Sequence, residues 1–442
     1  MATRIIKTQV TGTSTQKFTL SAWVKKTSNT TGNDQVIYES FNDSSNRLTF
    51  YFRGSTNSTL NVYCAVSGTT ILELETTRVF RDTNAWYHLV LAVDTTQAAG
   101  SGNQFHLYVN GVEESSFNSA TDPSVNANLP MGTSSYQHAF GYYSGGGSSV
   151  FQGLMSHLNF VDGLQLDATS FGETDSTTGE WKIKTSPSVT YGNNGFFILK
   201  DGNSLTDQSG KTNNFTLSTG TLTNTEDSPS NVFATGNPLS PYVSRTISNG
   251  NLTLTSTTTA WTNLFSTLGV STGKWYVELK ATAGSFHNFG IVNDFPNSEN
   301  ASIGDFTSIA TQQIGYYSNS GSKKVNETTS SYGDTWTNGD IISMALDLDN
   351  NKLYFAKNGT WQNSGVPTSG STGTGAISVN SGYTYFIGAS NYNSSATSFN
   401  FGNGYFGTTA VASAGTNASG NGIFEYDVPT GYTALSTKGL NL

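Results

Sequence analysis

Short stretches in which apolar and polar residues alternate recur along the whole chain. The clearest covers residues 339–361, where large apolar side chains occupy every second position of residues 342–348. A period of two places such a set on one face of a strand. The asparagine pair at residues 350–351 suits a tight turn, because a short amide side chain tolerates positive φ. The stretch therefore predicts a β-hairpin with one buried face.

The returning strand of this hairpin keeps the alternation. Leu353 and Phe355 are predicted to face inward, whereas Tyr354 and Ala356 face outward. The strand should stop at the Asn-Gly turn signal of residues 358–359.

Comparable strands, at the spacing of a β-sandwich, fill the first part of the chain. They are predicted at residues 18–25, 47–52, 60–66, 70–74, 86–94 and 105–112. We therefore expect an all-β protein built as two antiparallel β-sandwich (jelly-roll) domains in tandem. Helix should be confined to short turns, one of them within residues 162–172.

Composition supports this class. The 442 residues have room for two or three domains, and only 12% are charged, whereas glycine alone numbers 47. Polar turns between strands need such residues, and helical bundles do not. Aromatic residues make up 12% of the chain, which favours folded β-structure over disorder.

Charge and cysteine content narrow the partners and the compartment. A formal net charge of −9 without a basic run argues against nucleic acid and anionic membranes as partners. Cys64 is the single cysteine, which excludes an intrachain disulfide framework and a cysteine zinc site. Residues 1–7 lack the apolar core of a signal peptide, so synthesis in a cytoplasm, without a signal peptide, is expected.

The second half of the chain resembles the SPRY domain family. The motif GKWYVEL at residues 273–279, FGIV at residues 289–292 and the hairpin described above occur in the order typical of that family. Residues 383–388 and 398–402 fit its closing strands. The resemblance covers roughly residues 245–405 and implies a β-sandwich whose loops at one end bind partners.

The first half is similar to the concanavalin A-like, laminin-G-like jelly roll. The resemblance rests on FTLSAWVK at residues 18–25, WYHLVLAVD at residues 86–94 and FHLYVNGV at residues 105–112. Residues 151–160 fit a late strand of that fold, so the resemblance covers roughly residues 15–172.

These resemblances divide the chain into four parts. The first sandwich is predicted at residues 1–180 and the SPRY-like sandwich, with a C-terminal extension, at residues 245–442. Residues 181–227 either complete the first sandwich or form a bridging hairpin. Residues 228–244 hold three of the nine prolines and are predicted to be a semi-rigid linker.

Two stretches near the C-terminus have their own expectations. Residues 403–422, rich in glycine, alanine, serine and threonine, are predicted to form a flexible loop. Residues 426–435 should return to the edge of the second sandwich.

The sequence shows no convincing pattern of catalytic residues. Residues 269–273 match the G-x-S-x-G nucleophile elbow, but that motif needs a strand-to-helix turn in an α/β sheet. Laminarinase-like jelly rolls carry Glu-x-Asp-x-x-Glu on one strand, and this chain has no such run. Glu73 and Glu75 come nearest and are interpreted as a solvated strand edge. The protein is therefore predicted not to be an enzyme.

Metal sites are also weakly indicated. Residues 347–351 begin like a calcium loop but lack its glycine and its closing glutamate. Four histidines, all in the first module, lack the spacing of a metal site and are predicted to be structural: His88, His106, His138 and His157. No cofactor is expected, while a structural calcium ion bound through Asp43 or Asp94 stays open.

Candidate ligand-binding residues are aromatic. Tyr142 and Tyr143 lie in a motif that is nearly copied around Tyr316 and Tyr317. Tyrosines could stack on sugar rings or contact a protein, although one of each pair could instead point into the core. The SPRY resemblance adds three candidates: Trp336, Trp361 and Tyr392.

The order of jelly roll, linker and SPRY domain resembles a build common in virion proteins of tailed bacteriophages, especially marine ones. It implies a non-enzymatic virion surface protein, in a tail fibre or capsid decoration, that binds host-surface glycan or protein. Other virion proteins and further copies of the chain, as a homo-oligomer such as a trimer, are the expected partners. The alternatives are a purely architectural virion component and a polysaccharide depolymerase.

Overall fold

The computed structural model describes residues 3–29, 32–54, 58–146, 149–200, 202, 204–239, 244–296, 300–307 and 312–441. Strands account for 45% of the chain and helices for 4%, so the predicted all-β class is confirmed. The chain divides into two compact units, Met1–Asn224 and Thr225–Leu442.

The first unit is a sandwich of two antiparallel sheets. Its strands are β1 (Arg4–Thr8), β2 (Lys17–Lys26), β3 (Gln35–Asp43), β4 (Asn46–Phe52), β5 (Thr59–Val66), β6 (Thr69–Val79), β7 (Trp86–Asp94), β8 (Phe105–Val109), β9 (Val112–Glu113), β10 (Phe117–Thr121), β11 (Gln137–Phe140), β12 (Gly153–Asp162), β13 (Gly172–Thr174), β14 (Trp181–Ile183), β15 (Phe196–Ile198) and β16 (Thr216–Thr219). Among the described residues, one sheet has the order β10-β6-β5-β4-β3-β11-β1-β16 and the other β15-β12-β2-β7-β8-β9. The core lies between them, where the alternate residues Phe18, Leu20, Ala22 and Val24 of β2 are buried. The predicted short helical turn is a 3-10 turn at Ala168–Ser170.

Residues 181–224 belong to this first unit. Strand β15 pairs with β12, and β16 pairs with β1 so that Arg4 lies opposite Thr219. Both strands therefore extend the two sheets of the first unit. The sandwich thus begins and ends on neighbouring strands.

The described part of the second unit also has two large sheets, together with a separate two-stranded sheet. Its strands are β17 (Arg245–Ser248), β18 (Thr253–Ser256), β19 (Thr262–Val270), β20 (Lys274–Ala283), β21 (Phe286–Val292), β22 (Gln313–Tyr317), β23 (Ser322–Val325), β24 (Thr328–Ser331), β25 (Ile341–Asp347), β26 (Lys352–Lys357), β27 (Thr360–Trp361), β28 (Ile377–Ser378), β29 (Tyr385–Tyr392), β30 (Ala396–Asn400), β31 (Tyr405–Phe406), β32 (Thr409–Ala410) and β33 (Thr433–Ala434). The larger described sheet follows β17-β18-β30-β20-β25-β26-β27, with β28 on β26 and β33 on β20; the smaller follows β19-β29-β21-β22-β23-β24. Three 3-10 turns occur at Gln362–Ser364, Pro367–Thr372 and Gly439–Asn441.

The predicted hairpin forms as β25 and β26. Leu346 pairs with Leu353 in its ladder, and Asn351 takes a φ of 57° in the turn. Leu353 and Phe355 face the core as predicted. Tyr354 and Ala356 point to the opposite, outer face of the sheet as predicted, and both are buried there.

The C-terminal segment covers the outer face of this hairpin. Phe424, Val428 and Tyr432 pack with Tyr354 and with Tyr276 of β20 in a second apolar layer. Within residues 426–435, Val428 and Tyr432 pack on the face of the larger sheet, and Thr433–Ala434 joins that sheet as β33 beside β20. Hydrogen bonds also hold residues 403–422 against this segment. For example, the side chain of Asn421 donates to Thr433 Oγ1 over 2.9 Å and to Ser436 Oγ over 3.1 Å.

Glu278 anchors this covering segment. Its Oε2 accepts the backbone N–H of Glu425 and its Oε1 accepts that of Tyr426, each over 2.9 Å. Tyr276 Oη and Asn400 Nδ2 also donate to the carboxylate, at 3.1 and 3.3 Å. Burial raises the pKa of Glu278 to about 7, although these four donors act in the opposite direction.

The segment predicted as a linker packs on the second unit over its described residues. Isolated β-bridges join Phe233 to Ser436 and Gly236 to Ser266. The side chain of Phe233 is buried, at 1% exposure. Ala234 is also buried in this stretch, whereas Leu239 at its described end is exposed. The predicted linker residues 240–243 lie outside the described residues.

Candidate functional site

A pocket opens in the second unit where four neighbouring strands of the smaller sheet end. The register places the start of β21 against the end of β29, with Phe286 opposite Tyr392. Strand β22 continues the row, with Asn288 of β21 opposite Tyr317. Trp261 directly precedes β19, whose first residue pairs with Asn391 of β29.

Three half-buried aromatic side chains line the pocket. The ring centroids of Trp261 and Tyr392 are 5.4 Å apart with their planes tilted by 41°, and Phe286 meets Tyr392 edge-on at 5.7 Å. Tyr317 lies edge-on to Trp261 at 6.3 Å. These distances are those of favourable aromatic pairs, so the rings hold one another in place.

Local turns fix the aromatic rings. Tyr392 is followed by Asn393 and Ser394, which take φ values of 54° and 59°, as a tight turn between antiparallel strands requires. The backbone N–H of Trp261 donates to the side chain of Asn300 over 2.5 Å. Each aromatic side chain therefore projects from a turn or strand end with a defined backbone.

An ion pair between Asp305 and Lys324 forms the polar side of the pocket. Asp305 Oδ2 also accepts from the Tyr317 hydroxyl over 2.6 Å and from Ser302 Oγ over 2.9 Å. The Lys324 ammonium lies 5.1 Å from the centre of the Tyr317 ring. Burial, followed by the neighbouring Asp305, raises the pKa of Tyr317 well above its usual value, so this phenol stays protonated.

The volume of the pocket is about 440 Å³. This lies within the range of about 300–1,000 Å³ typical of small-molecule sites. The lining residues combine aromatic faces with polar rims: Trp261, Phe286, Asp305, Tyr317, Asn319, Ser320, Ser322, Lys324, Thr329 and Tyr392.

The structure brings together two of the seven aromatic residues predicted from the sequence, Tyr317 and Tyr392. Tyr316 and Trp336 are 0% and 2% exposed and pack in the core, so direct ligand contact, as predicted for them, is not open to these side chains. Tyr316 alternates with Tyr317 along β22 and therefore faces the interior. Trp361 lies beside Tyr354 on the larger sheet and does not line the pocket.

The other predicted pair lies in the first unit. Tyr142 and Tyr143 are both half-buried, and the ring of Tyr143 packs against the Arg47 guanidinium at 5.2 Å. Arg47 also donates to the Tyr143 hydroxyl and lies 5.0 Å from the ring of Tyr63. The two near-copied motifs therefore have different surroundings. Residues 147 and 148, which follow Tyr142 and Tyr143, lie outside the described residues.

Sequence reasoning missed Trp261, Phe286, Asp305 and Lys324. A signal for Trp261 existed, since it is a lone aromatic residue in the threonine-rich stretch 255–262. Phe286 and Lys324 reach the site through strand register and Asp305 through a loop, and no local pattern predicts either.

The remaining sequence candidates have structural surroundings. Glu75 pairs with Arg53, and Glu73 is exposed on β6. His88 stacks on Trp23 at 4.7 Å, and the Tyr38 hydroxyl bonds His138 over 2.6 Å. Among the residues that the structure describes, no group of three or more His, Cys, Asp or Glu side chains is placed to share a metal ion. The absence of a cofactor stays a prediction, and a structural calcium ion at Asp43 or Asp94 stays open.

No helix in the described part of the chain is long and apolar enough to span a membrane.

Comparisons with known proteins agree with the two resemblances. Residues 3–169 match the family model of the Concanavalin A-like lectin/glucanases superfamily, and residues 274–388 match that of the SPRY domain. The chain is therefore similar to a concanavalin A-like jelly roll over the first of these ranges and to a SPRY domain over the second. No curated protein matches the chain.

Three solved structures are similar to parts of this chain. The SPRY domain of human HERC1 is 16% identical, with a TM-score of 0.28, and the match covers 37% of this chain and 96% of that one. Stonustoxin is 16% identical, with a TM-score of 0.28, over 38% of this chain and 27% of its own. The heptameric SAP-like pentraxin from Limulus polyphemus is 14% identical, with a TM-score of 0.26, over 36% and 69%.

Proposed function

We propose that this chain is a non-enzymatic binding protein that holds part of a glycan in the pocket of its second unit. The observation that carries the proposal is the convergence of Trp261, Phe286 and Tyr392 with the Asp305–Lys324 pair in one pocket. A pyranose ring has an apolar C–H face and a rim of hydroxyl groups. Aromatic rings bury the first, and side chains that donate and accept hydrogen bonds satisfy the second.

The setting that we propose is the surface of a bacteriophage virion, in a tail fibre or capsid decoration. Support comes from the order of jelly roll and SPRY domain, which resembles that of phage virion proteins. Such proteins are displayed in many copies, so modest affinity at one pocket would be raised by avidity. The partners would then be other virion proteins, further copies of this chain and the host-surface glycan.

A binding experiment tests the pocket. Full-length protein is applied to an array of bacterial and algal glycans, and a hit is quantified by calorimetry. Trp261→Ala and Tyr392→Ala should each weaken binding about tenfold, because each removes a stacking face worth about 1 kcal/mol or more. Trp361→Ala is the matched control, since Trp361 is a half-buried aromatic residue of the same unit outside the pocket.

Equal losses in the control and the pocket variants would contradict the proposal. Retained binding in both pocket variants would move the ligand elsewhere on the chain. Absence of any glycan ligand would favour the purely architectural alternative.

Two further experiments address the other parts of the proposal. Incubation with the same glycans should release no reducing ends; turnover that one carboxylate substitution abolishes would make the protein a depolymerase. Antibodies against the chain should label intact particles of the phage that encodes it by immunogold electron microscopy. Protein found in the lysate but absent from purified particles would refute the virion setting.

A further inference from the structure

The charges within the pocket balance each other. Asp305 and Lys324 are the charged residues among the lining side chains, and they form an ion pair with side chains 30% and 25% exposed. Tyr317, the ionisable group that faces them from β22, stays protonated because burial and Asp305 raise its pKa. Over the residues that the structure describes, the lining therefore presents one anion and one cation side by side, and their charges cancel.

Both members of the pair retain hydrogen-bonding capacity. Asp305 Oδ2 already accepts from Tyr317 and Ser302, whereas Oδ1 accepts from Lys324. A carboxylate oxygen has two lone pairs and an ammonium group has three N–H donors, so each has capacity for a ligand. Asn319 adds an exposed amide beside them. Donors and acceptors thus both face the pocket, as hydroxyl groups of a sugar require.

A charged ligand would be repelled by the member of the ion pair that carries the same charge. The carboxylate of a uronic or sialic acid could pair with Lys324 only by displacing Asp305 or by lying against it, and like charges at such distances repel. The ammonium of an amino sugar would face Lys324 in the same way. A neutral hydroxyl group meets neither penalty, because it donates to Asp305 and accepts from Lys324 without breaking their pair.

We infer that the pocket selects neutral sugars and rejects acidic and cationic ones, and that the Asp305–Lys324 pair sets this selectivity. The inference rests on the proposed glycan-binding function and names the class of ligand for the same site.

Methyl glycosides of one scaffold are the probes: methyl glucoside, methyl glucuronide and methyl glucosaminide, each titrated into the full-length protein by calorimetry. We expect the wild type to bind the glucoside at least tenfold more tightly than either charged glycoside. Asp305→Asn leaves Lys324 without its anion, and the ratio should shift at least tenfold towards the glucuronide. Lys324→Gln leaves Asp305 without its cation, and the ratio should shift towards the glucosaminide.

The double variant Asp305→Asn, Lys324→Gln restores a pocket without net charge and should recover the preference for the glucoside. The melting temperature of each variant identifies those that do not fold, and the two single variants predict opposite shifts, so either one alone tests the inference. Trp261→Ala should weaken all three glycosides without changing their ratio.

Three outcomes would overturn the inference. The first is wild-type protein that binds the glucuronide or the glucosaminide as tightly as the glucoside. The second is folded single variants that keep the wild-type ratio. The third is wild-type protein that binds no glycoside of this scaffold or of the matching galactose series, which would overturn the glycan-binding proposal together with this selectivity.

Discussion

Replacing Glu278 by glutamine should remove a pH dependence from the stability of the second unit. Glu278 is 0% exposed, and burial raises its pKa from 4.5 to about 7. Because the folded-state pKa lies above the unfolded value, the group's contribution to stability is fully present below about pH 4.5. It is lost as the pH rises through 7, since the unfolded chain then releases its proton more readily.

The magnitude follows from this difference in pKa. One pKa unit corresponds to 1.36 kcal/mol, so the free energy of unfolding of the second unit should fall by about 3 kcal/mol between pH 4.5 and pH 8 through this group. Glutamine cannot ionise, and the variant should lack this term. It should also be less stable at low pH by about 1–3 kcal/mol, because one amide N–H₂ would face groups that now donate to the carboxylate.

Hydrogen exchange followed by mass spectrometry gives a local measurement. The amides of Glu425 and Tyr426 donate to Glu278, so their protection reports on the contact itself. Urea unfolding at pH 4.5, 6, 7 and 8 gives the stability of the unit. The control is Glu327→Gln, which changes an exposed carboxylate of the same unit.

The comparison that matters is the difference between wild type and variant across pH. A curve for Glu278→Gln that runs parallel to the wild-type curve would refute the reasoning. So would unchanged exchange of the two amides in the variant.

Further predictions concern both units. Burial lowers the pKa of His88 and of His138 to about 3. Their contribution to stability is present above pH 6.5 and is lost as the pH falls towards 3, so acid should lower the melting temperature of the first unit. In calorimetric scans, the melting temperature of the variant with glutamine at both positions should depend less on pH. Tyr316→Ala should cost about 3–5 kcal/mol in urea unfolding, because it empties a core site, and a cost below 1 kcal/mol would contradict the core assignment. Gly172→Ala would place a Cβ 2.4 Å from the ring of Trp181. The variant should destabilise the first unit by about 1–3 kcal/mol and red-shift the tryptophan emission. Unchanged emission would count against this contact.

The sequence contains the hairpin β25–β26 in full, since alternation and turn residues act within a few positions. The burial of Tyr354 could not be predicted from the local sequence, because the residues that pack over it lie about 70 positions later in the chain. The apolar residues of this cover, Phe424, Val428 and Tyr432, do not follow the alternation of a strand and lie in a stretch rich in polar residues and glycine. Buried hydrogen bonds of Asn421 and Glu278 also hold the stretch in place, and no apolar pattern reveals them.

The same limit applies to the candidate site. Tyr317 and Tyr392 could be proposed from motif and family resemblance, as exposed aromatic residues in loops. Their meeting with Trp261 and Phe286 depends on the register of four strands whose pocket-lining ends lie far apart in the chain. Among tyrosines in adjacent positions, the pattern of a strand indicates that one faces inward, and only the register identifies Tyr316 as that one.

The pairing of first and last segments within each unit has a consequence for how such a chain can be rearranged. Arg4 lies opposite Thr219 in the first unit, and Phe233 bridges Ser436 in the second. Each unit therefore enters and leaves through adjacent points on its own surface, the geometry that domain insertion and circular permutation require. Either unit could be spliced into an exposed loop of an unrelated protein, or have its ends joined and be reopened elsewhere, with its core unchanged.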